Sequence, residues 1–325
     1  LDYHYAAVDE LKPFIDDQSV IIKSTVPPGT AEATKERLDH TPVYNNPEFL
    51  KEGSAVNDFL TPDRVVIGAD DHDRAESLAQ NIYQDILDDT ELFITSNESA
   101  ELIKYASNAF LATKISYANE LARLCDATGA DIDDVTTGMA LDNRIKDAFF
   151  GAGAGYGGSC FPKDTKALVN KAKDLGEDMK IVQAAEDVHD EQRHRIIDDV
   201  ADELGELDDT TVGVLGLAFK PGTDDVRESP AITVIQGLVR RGAKVKAHDP
   251  QATENFKQRV DADVAYEDTA KRAVSHTDAV ILLTDWEDYT ESLLNDATFD
   301  GYVYDARNTL STAMVDADTT QVGKP

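Results

Sequence analysis

Between residues 98 and 128 the apolar side chains Leu102, Ile103, Phe110, Leu111, Ile115, Leu121 and Leu124 recur at steps of three and four residues. No other feature limits the fold as strongly. That period belongs to one long helix, and Ser96 or Asn97 offers the side-chain oxygen that caps its first turn. A helix of this length, set between two segments of different pattern, predicts a spine joining two lobes and a natural surface for pairing with a second copy.

The flanking segments alternate strand and helix. Before the spine, Val20-Ile21-Ile22, Pro42-Val43-Tyr44 and Arg64-Val65-Val66-Ile67-Gly68 read as short buried strands, with helices at 30–38 and 73–86. After it, strands are expected at 211–217, 244–248, 279–283 and 303–304, with a helix at 231–241. Such alternation argues for parallel α/β sheets. The middle, 96–205, has no strand pattern; helices are expected again at 163–175 and 181–200. The fold class is therefore α/β, with two Rossmann-like lobes joined by a central helical domain carrying the spine helix. The expected domains are 1–95, 96–205 and 206–325. A dinucleotide-binding lobe normally opens with a strand, a Gly-x-Gly-x-x-Gly turn and a helix. No such turn precedes residue 100, so the first lobe is expected to be incomplete.

Composition narrows the partners. Sixty-three Asp and Glu against 31 Lys and Arg give a net charge of −32, which repels nucleic-acid phosphate. No run reaches the roughly 18 apolar residues of a membrane span. Two cysteines, Cys125 and Cys160, are too few for a disulfide framework, and a reducing cytoplasm is the expected compartment. No spacing suggests a metal site.

Chemistry concentrates in four stretches. In Gly153-Ala154-Gly155-Tyr156-Gly157-Gly158-Ser159-Cys160-Phe161-Pro162-Lys163-Asp164, glycines permit close backbone approach to a ligand. Cys160 falls where a helix should begin, a position that favours thiolate. Asp164 lies one helical turn on. Cys125, inside the spine pattern, reads as a buried structural cysteine. Lys104 and Asn108 share one face of the spine and suit a developing oxyanion, a reading that gains weight only in combination, since such a pair on a helix is usually solvated. Glu48 and Glu52, in Asn46-Pro47-Glu48-Phe49-Leu50-Lys51-Glu52-Gly53, could offer a water-activating base and a ligand contact, although by themselves they fit the start of a surface helix better. Phe219-Lys220-Pro221-Gly222 with Arg227 follows a strand and suits an anionic ligand. Asp249 stands where a Rossmann lobe would read ribose, but is taken as a turn residue.

Together with Ser24-Thr25-Val26-Pro27, these stretches, in this order, resemble the UDP-glucose 6-dehydrogenase branch of the UDP-glucose/GDP-mannose dehydrogenase family from end to end of the chain. The resemblance implies a member truncated at its N-terminus, lacking the opening strands of the NAD lobe. It implies NAD as cofactor and UDP-glucose as substrate, oxidised at C6 in two hydride transfers through a Cys160 thiohemiacetal and thioester. Lys104 and Asn108 match the oxyanion-stabilising residues, Asp164 a water-positioning one, and Glu48 with Thr25 the pair that hydrolyses the thioester. Ser24, Thr25, Val26, Glu52, Lys163 and Arg227 match cofactor contacts. Phe49, Leu50, Phe149, Gly151, Tyr156, Gly157, Phe219, Lys220 and Arg307 match substrate contacts. Arg144 matches a residue reaching into a partner's site, so a homodimer or higher homo-oligomer is implied. GDP-mannose remains an alternative substrate, and a redox-inactive nucleotide-sugar-binding dimer follows if the truncation is genuine. A hydroxyacid dehydrogenase of similar layout would leave Cys160 and the third segment unexplained.

Forty-three of the acidic residues are Asp, many in pairs such as Asp208-Asp209, a pattern like that of proteins from salt-loving organisms. Self-repulsion of this size is relieved by screening, since the Debye length falls from about 10 Å at 0.1 M to about 3 Å at 1 M salt. The melting temperature should therefore rise with added KCl in differential scanning fluorimetry; a flat or falling response would contradict this.

Overall fold

The structure, a computed structural model, describes residues 1–295 and 298–325. It forms two compact units, residues 1–109 with 166–178, and residues 110–165 with 179–325.

In the first unit, α1 (Asp2–Leu11), β1 (Val20–Ile22), α2 (Thr30–Arg37), β2 (Val43–Asn45), α3 (Ala55–Leu60), β3 (Arg64–Gly68), α4 (His72–Tyr83) and β4 (Glu91–Thr95) build a sheet of order β1-β2-β3-β4. Successive side chains on a strand face opposite ways, and Val43 and Tyr44 show it. Val43 joins Val8, Ile22, Val26, Ala31 and Leu38 in one cluster. Tyr44 joins Val65, Ile67, Ala75, Ala79 and Tyr83 in another. The parallel expectation fails at one place: β2 and β3 pair antiparallel, through Asn45 and Gly68. An antiparallel pair needs no crossover returning the chain to the same edge, and residues 46–63 contain only the six-residue α3.

The spine is α5 (Asn97–Thr128). The Ser96 hydroxyl accepts from the Ser99 N–H at 3.2 Å, as its capping role requires. It is followed by α6 (Ile132–Ala140), α7 (Phe161–Asp174) and α8 (Lys180–Leu204), with no strand among them.

The second unit carries β5 (Thr211–Leu215), α9 (Pro230–Arg240), β6 (Lys244–His248), α10 (Thr253–Arg259), β7 (Val264–Tyr266), α11 (Ala270–Val274), β8 (Ala279–Leu282), α12 (Glu291–Leu294), β9 (Tyr302–Asp305) and β10 (Thr319–Gln321). Its six strands are all parallel, in the order β10-β9-β8-β5-β6-β7. This is the doubly wound Rossmann order, whose ligands bind beyond the carboxyl ends of the two strands at the switch point, here β5 and β8. The strand expected to reach 217 stops at Leu215, because Gly216 takes φ +97° and turns the chain. Asp249 is indeed a turn residue. Its carboxylate accepts from the N–H groups of Leu217, Ala218, Gln251 and Ala252 and from the Trp286 indole, binding the ends of β5 and β6 together.

One buried carboxylate organises the first unit. Glu101 is 2% exposed, and its oxygens accept from the N–H groups of Gly29 at 2.6 Å and Ala31 at 2.7 Å, which otherwise go unmatched at the start of α2. Burial pushes its pKa up to about 7, against the pull of those two N–H groups. A folded pKa raised above the unfolded value of 4.5 contributes stability that is complete below about pH 4.5 and lost as pH rises through about 7. Urea melts across pH 5–8 should show wild type losing stability relative to Glu101→Gln as pH rises. A difference that does not change with pH would contradict the assignment.

Candidate active site

The second unit builds its site around Cys160. The thiol is exposed and stands immediately before the first residue of α7, a 14-residue helix; the Cys160 carbonyl accepts the Asp164 N–H at 2.9 Å. That placement sets the exposed thiol at the N-terminal end of α7. Asp164 is buried at 1% exposure, and its carboxylate lies 3.2 Å from the Lys163 ammonium. Cys125 is buried at 4%, and burial raises its thiol pKa, as suits a structural cysteine.

The loop leading to Cys160 is pinned along its length. The Gly153 N–H donates to the buried Asn119 side chain at 2.8 Å, the Ala154 N–H to the Ala306 carbonyl at 2.9 Å, and the Gly158 N–H to the Arg227 carbonyl at 2.8 Å. Gly153, Gly155, Gly157 and Gly158 all leave no room for a Cβ. A Cβ on Gly157 would lie 2.7 Å from both the Glu228 carbonyl oxygen and Phe219 Cβ, and one on Gly158 would lie 2.8 Å from the Phe219 ring. Tyr156 stacks on His189 with centroids 3.6 Å apart, and Phe161 meets both Tyr156 and Phe149 edge-on.

At the switch point, Phe219 and Lys220 follow β5, and the Lys220 ammonium sits 5.4 Å from the Phe219 ring centroid. Arg307, after β9, donates to the carbonyls of Leu283 at 2.6 Å and Phe219 at 3.3 Å; burial lowers its pKa. It therefore ties the Phe219 backbone to the end of β8. Arg227 forks onto Asp225, with bonds of 2.7–2.9 Å. Arg144 is 88% exposed and held by Asp142. Gly151 is exposed.

The first unit gathers the other expected residues. Lys104, 4% exposed, lies 3.6 Å from the Glu48 carboxylate, whose other oxygen accepts the Leu50 N–H at 2.7 Å. Asn108 is buried one turn beyond Lys104. Phe49 carries two cations on its ring, Arg64 at 4.1 Å and Lys104 at 5.3 Å from the centroid. Glu48, Phe49 and Leu50 line a cavity of about 240 Å³ with Lys23, Arg64 and Tyr83. Ser24 is exposed, Thr25 half-buried and Val26 buried, in the loop beyond the carboxyl end of β1; Glu52 is exposed. Thus Thr25, Glu48, Lys104 and Asn108 belong to one unit, and Cys160, Lys163, Asp164, Tyr156, Phe219 and Lys220 to the other.

Several residues at these sites went unread in the sequence: Arg64, Glu101, Asn119, His189 and Arg193. Glu101 had a signal, standing three residues before Lys104 on the same helix face. The others act on partners too distant in sequence for any spacing to reveal. Among the described residues, no group of three His, Cys, Asp or Glu could hold a metal, and no helix is long and apolar enough to cross a membrane.

Comparison with known proteins places the chain in a family. Models of the UDP-glucose/GDP-mannose dehydrogenase family match in three parts: its NAD binding domain over residues 1–87, its central domain over 98–191 and its UDP binding domain over 213–312. The chain is 45% identical over 287 residues to the UDP-glucose 6-dehydrogenase AglM of Haloferax volcanii, covering 84% of this chain and 66% of that one. It is 44% identical to the UDP-glucose 6-dehydrogenase of Rickettsia bellii, covering 89% of this chain and 68% of that one. The chain thus spans about two thirds of the length of these curated relatives. The solved UDP-glucose dehydrogenase of the hyperthermophilic archaeon Pyrobaculum islandicum superposes with a TM-score of 0.91 at 39% identity, over 99% of this chain and 76% of that one. With all three domain models matched in order along its length, the chain belongs to the UDP-glucose/GDP-mannose dehydrogenase family.

Proposed function

We propose that this protein oxidises UDP-glucose to UDP-glucuronate, with NAD as hydride acceptor. The observation that carries the proposal is an exposed thiol at the start of α7, with a buried carboxylate one turn on, at the end of a glycine loop bonded to the Phe219–Ser229 segment. The relatives' names support UDP-glucose as the substrate.

The donor set fits the expected ligands. Ser24 and Thr25 hydroxyls and the Glu52 carboxylate, in the loops of the first unit, suit the hydroxyls and carboxamide of a dinucleotide, while residues 1–95 hold no glycine-rich turn for its pyrophosphate. Lys220 at the switch point suits a diphosphate. NAD, when bound, supplies a two-electron hydride acceptor, used twice.

The chain's own residues do the rest. After the first oxidation gives the C6 aldehyde, Cys160 Sγ bonds to that carbon and the former carbonyl oxygen takes a proton, forming a thiohemiacetal. Oxidation of this adduct gives a thioester. Water then adds at the same carbon, the C–S bond breaks, and the thiolate leaves a carboxylate. Overall, UDP-glucose, two NAD+ and one water give UDP-glucuronate, two NADH and three protons. Lys104, with Asn108, places positive charge and an amide donor for the oxyanion. Glu48 accepts the proton of the attacking water with Thr25 as its positioning hydroxyl, and Asp164 holds water beside the thiol.

A homodimer formed through α5 fits the helix surface. Phe110, Tyr117 and Leu124 lie seven residues apart and remain 66%, 46% and 59% exposed, a seam such as paired helices use. The net charge and free thiols suit a cytoplasmic protein.

Cys160→Ser should abolish the second oxidation far more than the first. In NADH assays, wild type should yield two NADH per UDP-glucose, and the variant one at most, with steady-state turnover reduced on the order of a thousandfold. GDP-mannose should yield little NADH. Full two-NADH turnover by Cys160→Ser would refute the covalent mechanism, and preference for GDP-mannose would reassign the substrate.

A further inference from the structure

We propose that Arg193 is a positioning residue, locking the loop that carries Cys160 onto the loop that carries the nucleotide-sugar contacts. Arg193, on α8, is 7% exposed. Its Nη2 donates to the Tyr156 carbonyl at 3.0 Å and to the Glu228 carbonyl at 3.0 Å, and lies 2.7 Å from His189 Nε2. The first carbonyl lies four residues before Cys160, and the second directly follows Arg227 in the segment joining β5 to α9.

A buried guanidinium is costly unless its donors are used. Here two go to backbone carbonyls from different loops, and charge-assisted bonds of this kind are the stronger sort. Several neighbours fit the clamp. His189, one turn earlier on α8, carries the stacked Tyr156 ring. Gly157 has no side chain to push the Glu228 carbonyl away. Glu228 itself adopts a left-handed φ of +52°, a conformation that non-glycine residues hold only where the surroundings enforce it. The Gly158 N–H bond to the Arg227 carbonyl closes the same seam from the other side. Arg193 acts through the backbone of the two loops.

The consequence rests on the function proposed above. The first oxidation needs only the sugar alcohol and the dinucleotide, whereas the second also needs Sγ at bonding distance from C6. Loosening the seam should therefore slow the second step selectively.

The test uses the full-length gene product, as wild type, Arg193→Met and Arg193→Lys. In single-turnover stopped flow with UDP-glucose and NAD, Arg193→Met should leave the first NADH phase within about threefold of wild type and slow the second at least tenfold. Arg193→Lys, which keeps the charge on a different, shorter-reaching head group, should fall between them. Equal slowing of both phases, or of neither, would overturn the proposal. Hydrogen exchange of the peptide spanning residues 155–160 reads the same seam without any chemistry. Its exchange should speed at least tenfold in Arg193→Met in a protein that still unfolds cooperatively, and unchanged protection would also overturn the proposal. If wild type makes no NADH from UDP-glucose, the proposed function fails, and the exchange measurement still decides the role of Arg193.

Discussion

The second unit depends on a close approach of backbone to backbone. At Gly157 and Gly158 the loop before Cys160 comes so near to Glu228 and Phe219 that a single methyl group would not fit. The contact fixes where the chain can turn into α7, and therefore where the thiol stands relative to the helix N-terminus. Arg193 and the Gly158–Arg227 bond supply the attraction; the missing side chains remove the obstruction. The loop between β5 and α9 can then emerge from the switch point of the parallel sheet with Phe219 and Lys220 in place.

The first unit solves a similar problem with charge. Glu101 takes up two N–H groups at the start of α2, so the loop carrying Ser24 and Thr25 is tied to the helix carrying Lys104 and Asn108. Lys104 in turn sits against Glu48 and the Phe49 ring. In a chain of net charge −32, these few cations are kept beside carboxylates and aromatic faces, where burial strengthens their interactions relative to those of the screened acidic surface.

Much of this was legible in the sequence, for identifiable reasons. The spine helix showed in its apolar period and its Ser96 cap, and the Cys160 loop in a density of glycines that only close packing or unusual backbone angles would require. Asp249 read as a turn residue and proved to be one. What stayed hidden depends on pairing rather than pattern. β4, β7 and β10 went unread, because their side chains are mostly half-buried or exposed and show no buried apolar run. The antiparallel step from β2 to β3 is set by the route of residues 46–63, which no local propensity encodes. Arg193 looked like one of many charges on a polar helix, because its partners at 156, 189 and 228 meet it only in three dimensions. Arg307 was legible as a residue of the nucleotide-sugar lobe, but its hold on the Phe219 carbonyl was not.

The most direct test of the account is whether substrate carbon becomes bonded to Cys160 during turnover. Glu48→Gln, which should slow thioester hydrolysis while leaving the thiol intact, would be mixed with UDP-glucose and NAD, quenched in acid, digested and examined by mass spectrometry. The account requires the Cys160 peptide to carry a UDP-glucuronyl group that forms only when both reactants are present. An unmodified Cys160 peptide in a sample that has made NADH would contradict it.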